Sequence, residues 1–225
     1  MTEKEMNFKT CKQVIMGMWD NPEGVAVDEV DINRMLFSFK DKRRGLQVLR
    51  GGPWCIKGFL LNLKLWSNSK TIHEVKHDHM EFWVQAHGVS LEHLNRDVAK
   101  LIRNEMENLI EVEDAKVNNV IVRSFLRMTV AVNVIKLLPT RFWLDREELP
   151  QVWIHFKYER LLECYYLNCG RISHRRKECK EERAMAIWNL KAPKHLPGMG
   201  VIQAKPISFS GGRDDDEYGR EKSGA

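Results

Sequence analysis

The 225-residue chain lacks any run of about 18 apolar residues, so no membrane-spanning helix is expected. Its N-terminus, MTEKEMNFKTCKQ, lacks the apolar core of a secretory signal. An intracellular location, nuclear or cytoplasmic, is the expectation, with neither a membrane nor a small-molecule substrate as partner. Motifs of several enzyme classes are missing as well: there is no G-x-S-x-G elbow, no Walker-type glycine loop and no G-x-G-x-x-G. Clustered carboxylates on a strand-like segment are limited to Glu111, Glu113 and Asp114. The chain is expected not to be an enzyme. Charge of one sign is also lacking. Lys and Arg number 36 against 31 Asp and Glu, and the net +5 is a bias toward anionic partners too weak to name one.

Cysteine is scarce but unevenly placed. Of Cys11, Cys55, Cys164, Cys169 and Cys179, three fall within sixteen residues, with His174 among them. An odd count without a secretory signal argues against a disulfide framework. The segment has the form C-x4-C-x4-H-x4-C. Three thiolates and an imidazole complete a tetrahedral zinc shell, and a closed shell is structural because no bound water is left to activate. The expected ligands are Cys164, Cys169, His174 and Cys179, with Gly170 serving the sharp turn between them. Arg171, Arg175, Arg176 and Lys177 surround the histidine, a placement suited to phosphates. Tyr165 and Tyr166 either stack on unpaired bases or cover the ligands.

Apolar residues at Phe8, Cys11, Val14, Ile15, Met18 and Trp19 predict a first helix, stopped by Asp20–Gly24. Strands follow from Val25 and over 35–39, then a basic helix over 41–49 ending at Gly51-Gly52-Pro53, then a strand over 59–66. The order α-β-β-α-β is a ferredoxin-like unit lacking its opening strand. Residues 67–78 read as a polar connector, and His77-Asp78-His79, with His73 nearby, as an ordinary exposed stretch. A second unit begins with a strand over 82–87 and a helix over about 91–107 built on Val98, Leu101 and Ile102. Strands are expected over 109–112 and 125–134, with a hairpin of 141–144 against 152–158. The seven tryptophans, Trp54, Trp83, Trp143 and Trp153 among them, read as core or sheet-face residues. Residues 191–225, rich in Pro and Gly, read as a disordered tail.

The piece CGRISHRRKEC resembles a plant retroelement zinc knuckle, C-x2-C-G-x-x-G-H-x4-C. Upstream, GGPW, FWVQAHGVSLEHLNRDVAKLI, FLRMTVAVNV and VWIHFKYERL resemble the plant domain of unknown function 4283, which precedes such knuckles in retrotransposon gag-like, first-reading-frame proteins. The resemblance covers roughly residues 6–180. It implies an RRM-like or ferredoxin-like α+β region over 6–158, with units at about 6–66 and 80–158, then a knuckle over 159–180. This chain departs from the pattern at two places: Tyr166 stands where the family has its first cysteine, and Ser173 where it has a glycine. The absent opening strand is read as truncation. The implied function is a zinc-binding protein whose knuckle grips single-stranded RNA or DNA, with an α+β region that scaffolds or self-associates. The alternative is a protein–protein interaction module whose degenerate knuckle binds neither zinc nor nucleic acid.

Overall fold

A computed structural model gives the fold. It describes residues 6–95, 98–99, 101–102, 106, 108–118, 120–146, 148–161, 165–166, 169–172, 179–186, 189–195 and 198–204. The chain is mixed α and β, and among the described residues no helix is long and apolar enough to cross a membrane.

The first unit opens with α1 (Phe8–Met18), where the Asn7 side chain accepts the Thr10 N–H at 3.1 Å and so satisfies one orphan donor of the helix start. Helix α1 buries Cys11 and Ile15. Strands β1 (Val25–Asp31) and β2 (Arg34–Phe39) form an antiparallel hairpin whose turn residue Asn33 takes φ +56°. Asp41 caps α2 (Lys42–Arg50) by accepting the Arg43 N–H. Strands β3 (Trp54–Ile56) and β4 (Phe59–Leu61) make a second short hairpin. Trp19 joins these pieces. Its ring meets Phe37 edge-on at 5.0 Å and Trp54 at 6.2 Å, over a small core of Cys11, Ile15, Val48 and Ile56. The strand expected over 59–66 stops at Leu61. The described ladders pair β1 only with β2 and β3 only with β4, rather than joining them into one ferredoxin-like sheet. Residues this short in strand leave little edge to extend.

The second unit is a larger sheet. It uses β5 (His79–His87), β6 (Leu109–Glu113), β9 (Leu126–Asn133), β10 (Arg141–Leu144) and β11 (Val152–Glu159). Two-residue strands β7 (Lys116–Val117) and β8 (Val120–Ile121) form a small hairpin between β6 and β9. The order is β10-β11-β5-β9-β6, antiparallel throughout, and the expected 141–144/152–158 hairpin is present. Alternation fixes two unlike faces. Phe82, Val84, Met128, Val130, Ile154 and Phe156 point to the main core, where Val98, Ala99, Ile102 and Met106 cover them from residues that are helical. Leu101, expected on that buried face, is 51% exposed.

The opposite face contains a buried ion pair. Arg127 donates to both carboxylate oxygens of Glu159 at 2.9 Å, and Gln85 Nε2 donates to the same carboxylate at 2.9 Å. The Arg127 guanidinium also lies 3.7 Å over the Trp83 ring and 3.1 Å from Glu113. Burial alone would raise the Glu159 pKa; the hydrogen bonds from Arg127 and Gln85 reverse that and hold it below the usual carboxylate range.

Beyond β11 the chain forms short strands, and the tail expected to be disordered from residue 191 departs from that expectation only in the last two of them. Strands β12 (Tyr165–Tyr166) and β13 (Arg171–Ile172) pair with each other, as do β14 (Met185–Ala186) and β15 (Asn189–Pro193). Strand β16 (Gly200–Val201) then runs parallel to the end of β11, with the Tyr158 N–H donating to the Met199 carbonyl at 2.7 Å. A few backbone bonds to a strong strand order a segment whose composition alone would not. Residues 205–225 lie outside the described residues.

Two outcomes follow. Glu159→Ala leaves Arg127 buried without its main partner and should lower unfolding stability by about 3–5 kcal/mol in urea titrations, whereas replacing Arg127 and Glu159 together by Met and Leu should recover most of it. His87 is half-buried, and burial, followed by Lys157 and His155, pushes its pKa down to about 4. Its unfolded value is ~6.5, so unfolding takes up a proton between those limits. Stability should be full above about pH 6.5 and decline toward pH 4, and the denaturant midpoint of His87→Phe should fall less steeply across that window.

Candidate metal and nucleic-acid site

Strands β12 and β13 pair Tyr165 with Ile172 and Tyr166 with Arg171, which puts Cys169 and Gly170 in the connection between them. Gly170 has φ +70°, a conformation that a side chain would strain. A Cβ there would also run into His195, which is packed directly on this glycine. The turn is fastened to the sheet unit. The Leu138 N–H donates to the Gly170 carbonyl at 3.0 Å, and Ile172 is buried in the main core.

Cys169 is 1% exposed, and its thiol meets that of Cys179 in a hydrogen bond. Burial pushes the Cys169 thiol up, the Arg171 N–H bonded to its sulfur pulls it down, and the Cys179 contact pushes it up again. The Arg171 N–H offsets burial only in part, so the thiol stays raised overall; what suits zinc here is the meeting of two sulfurs at a tight turn. These features fit a zinc ligand pair. Cys164 and His174, the other two expected ligands, lie outside the described residues, as do Arg175, Arg176 and Lys177. Among the described residues no three His, Cys, Asp or Glu side chains converge on a metal position. Cys11, Cys169 and Cys179 are not in disulfides, while Cys55, half-buried in β3, is disulfide-bonded.

Of the expected nucleic-acid contacts, Arg171 is 39% exposed in its side chain and sits 3.5 Å from Glu181. Tyr165 is half-buried against the main core, its hydroxyl bonded to His195 Nδ1 and 3.6 Å from the Met199 sulfur. Only the backbone of Tyr166 is described.

His195 is the residue that sequence reasoning did not single out. It is 2% exposed, with its Nε2 buried and unpartnered. Burial, then Lys194 and Arg141, pushes its pKa down to about 4, so the ring is neutral at pH 7. A single histidine in KAPKHLPGMG has no spacing partner that would have flagged it.

His73-Glu74-Val75-Lys76-His77 spells H-E-x-x-H, the order that places two zinc-binding histidines on one helix face. Here residues Ile72–Glu74 form one 3₁₀ turn and Val75 is already extended, so the helical spacing is absent. Glu74 instead accepts from the Thr71 N–H and hydroxyl, and His73 and His79 lie beside Asp31 and Asp78. Glu113, from the clustered carboxylates, is bound by Arg123 and Arg127.

Residues 147–181 match the family described as Zinc knuckle, which spans Cys164 to Cys179, and residues 1–74 match the Domain of unknown function (DUF4283). The FWVQ and FLRMTVAVNV pieces lie outside both matches. No curated protein and no solved structure matches the chain. The chain thus matches DUF4283 over residues 1–74, which take in the first unit, and a CCHC-type zinc knuckle over residues 147–181, a stretch that includes β11 of the sheet.

Proposed function

We propose that the chain is a non-enzymatic, gag-like nucleic-acid-binding protein whose knuckle holds one structural zinc through Cys164, Cys169, His174 and Cys179. The observation that carries this reading is the coincidence of the knuckle match with the Cys169–Gly170–Arg171 turn, where a backbone N–H already supports a sulfur that touches a second ligand thiol. Zinc would supply folding free energy to a segment with little core of its own. Its closed shell leaves the surrounding cations to bind. Arg171, Arg175, Arg176 and Lys177 gather around one metal-centred turn and neutralise phosphates of a single strand. Tyr165, committed to His195 and the core, acts as the knuckle's anchor, and Tyr166 remains the ring for stacking on a base.

Protein purified under reductant, which keeps the thiols available, should contain about one equivalent of zinc by elemental analysis. Cys179→Ser should remove it. Metal-free wild-type protein would leave the interaction-module alternative in its place. Oligonucleotide affinity should fall with salt at a log–log slope of roughly −0.7 per phosphate contact. Changing Arg175 and Arg176 together to Ala should flatten that slope by about one to one and a half units. An unchanged slope would remove these two side chains from the interface.

A further inference from the structure

The second face of the large sheet is unlike a solvated sheet surface. Its half nearest Glu159 is closed. Arg127 and Thr129 are buried, and the Ala204 N–H bonds the Glu159 carboxylate from the C-terminal segment. The other half is open and aromatic. Trp143 of β10 is 55% exposed and lies 4.5 Å from Trp153 of β11. One row along, the exposed His155 ring is stacked on His87 at 5.3 Å and 16°, and His87 meets Phe125 at 5.0 Å. Five rings therefore form two neighbouring groups on one face, the Trp143–Trp153 pair and the His155–His87–Phe125 stack, a ribbon carried by four chain segments.

Two backbone facts hold the ribbon together. Register places Trp143 opposite Trp153, and Arg141 opposite His155 opposite His87. Gly88, at φ +97°, lets β5 end directly against the Trp153 carbonyl, where a Cβ would collide. His87 and His155 both have pKa values lowered by burial and nearby cations, so their rings present uncharged faces at pH 7. The charges beside the rings are cationic, and Asp145, at the hairpin end, accepts from the Gln151 amide. The Arg141 guanidinium lies 5.4 Å over Trp153, and Lys157 acts electrostatically on both histidines. The open-face positions of β10 and β11 ahead of Glu159 carry no carboxylate.

Exposed rings on an antiparallel sheet, interleaved with cations, stack unpaired bases and meet the phosphates between them. We propose that this open half-face is a second binding surface for single-stranded nucleic acid, with bases stacked on Trp143, Trp153 and His155 and phosphates at Arg141 and Lys157. The proposal rests on the nucleic-acid reading above but not on zinc. It lies in residues that neither family match covers in full: Trp143 and His87 fall between the two matches, and Trp153 and His155 fall inside the second, ahead of its cysteines.

The experiment uses the full chain and fluorescein-labelled oligothymidylate and oligouridylate of about 12 nucleotides, within the span one small domain covers. Trp143→Ala should weaken binding by about 5- to 140-fold, which is ~1–3 kcal/mol per stacked base at 1.4 kcal/mol per tenfold. Trp143→Phe, which keeps a ring, should retain most of the affinity, and neither substitution should move the melting temperature much because the side chain is largely exposed. Oligodeoxyuridylate, which differs from oligouridylate only in the 2′-hydroxyl, tells a ribose contact from stacking alone. Cys179→Ser separates the two readings. If it abolishes binding while Trp143→Ala leaves it intact, the knuckle binds and this proposal is overturned. If Trp143→Ala weakens binding in both the wild-type and the Cys179→Ser backgrounds, the sheet binds independently of the metal. If Trp143→Ala changes only the oligomeric state in sedimentation, the face meets a second copy and the proposal is likewise overturned.

Discussion

The Arg127–Glu159 pair is the constraint on which the sheet unit depends. Two charges buried in a sheet face require each other, because either one alone would be far too costly to desolvate. Their bidentate geometry joins β9 to β11 across β5, which lies between them in the sheet. Gln85 of that middle strand donates to Glu159, which fixes its amide so that the carbonyl oxygen faces His87 Nε2 at 3.1 Å. The amide orientation assigns the imidazole proton to Nε2. A buried charge thereby sets the tautomer and the plane of a ring on the open half of the same face. The closed half of the face orders the aromatic half.

How much of this was legible depends on which physical signal each part leaves in the sequence. Helix α1 was readable because Phe8, Cys11, Ile15 and Trp19 follow a helical period, and β9 because Leu126, Met128, Val130 and Val132 follow a period of two. The pairing partners were not readable. Nothing local in Val25–Phe39 or Trp54–Leu61 says whether the two hairpins share a sheet, since that is decided by long-range backbone bonding. The tail was misread for a related reason. Composition reports what a segment can bury by itself, whereas Gly200 and Val201 are held by hydrogen bonds to the end of β11.

The site shows the same division. Ligand spacing is a local property, so Cys169 and Cys179 stood out, and their thiols do meet. The alternation on β11 was visible, yet the grouping of its rings was not, because Trp143, Trp153, His155 and His87 come together on one face only through cross-strand register. His195 is the extreme case. It lies 25 residues beyond Gly170 in sequence and is pressed against it in space. Conversely, H-E-x-x-H between His73 and His77 is a strong spelling whose meaning requires a helix, and the chain is extended there.

If the knuckle and the sheet face both bind one strand, as proposed, the attachment of the knuckle turn to the sheet bears on how they act together. A knuckle on a flexible linker samples a large volume, and its contribution to a joint grip falls as the linker lengthens. Here the Gly170 carbonyl accepts from Leu138, Ile172 sits in the main core, and Tyr165 is bonded to His195, whose own segment leads into β16 beside β11. Each of these ties reaches the unit that carries the aromatic ribbon. A strand held by one surface is then presented to the other at high effective concentration, without the entropy of finding it anew. On the proposed reading, modest stacking on the ribbon and a few phosphate contacts at the knuckle would multiply in affinity, provided one strand can reach both. The same ties make the coupling structural: a change that loosens Gly170 or His195 weakens the joint grip while leaving each surface intact.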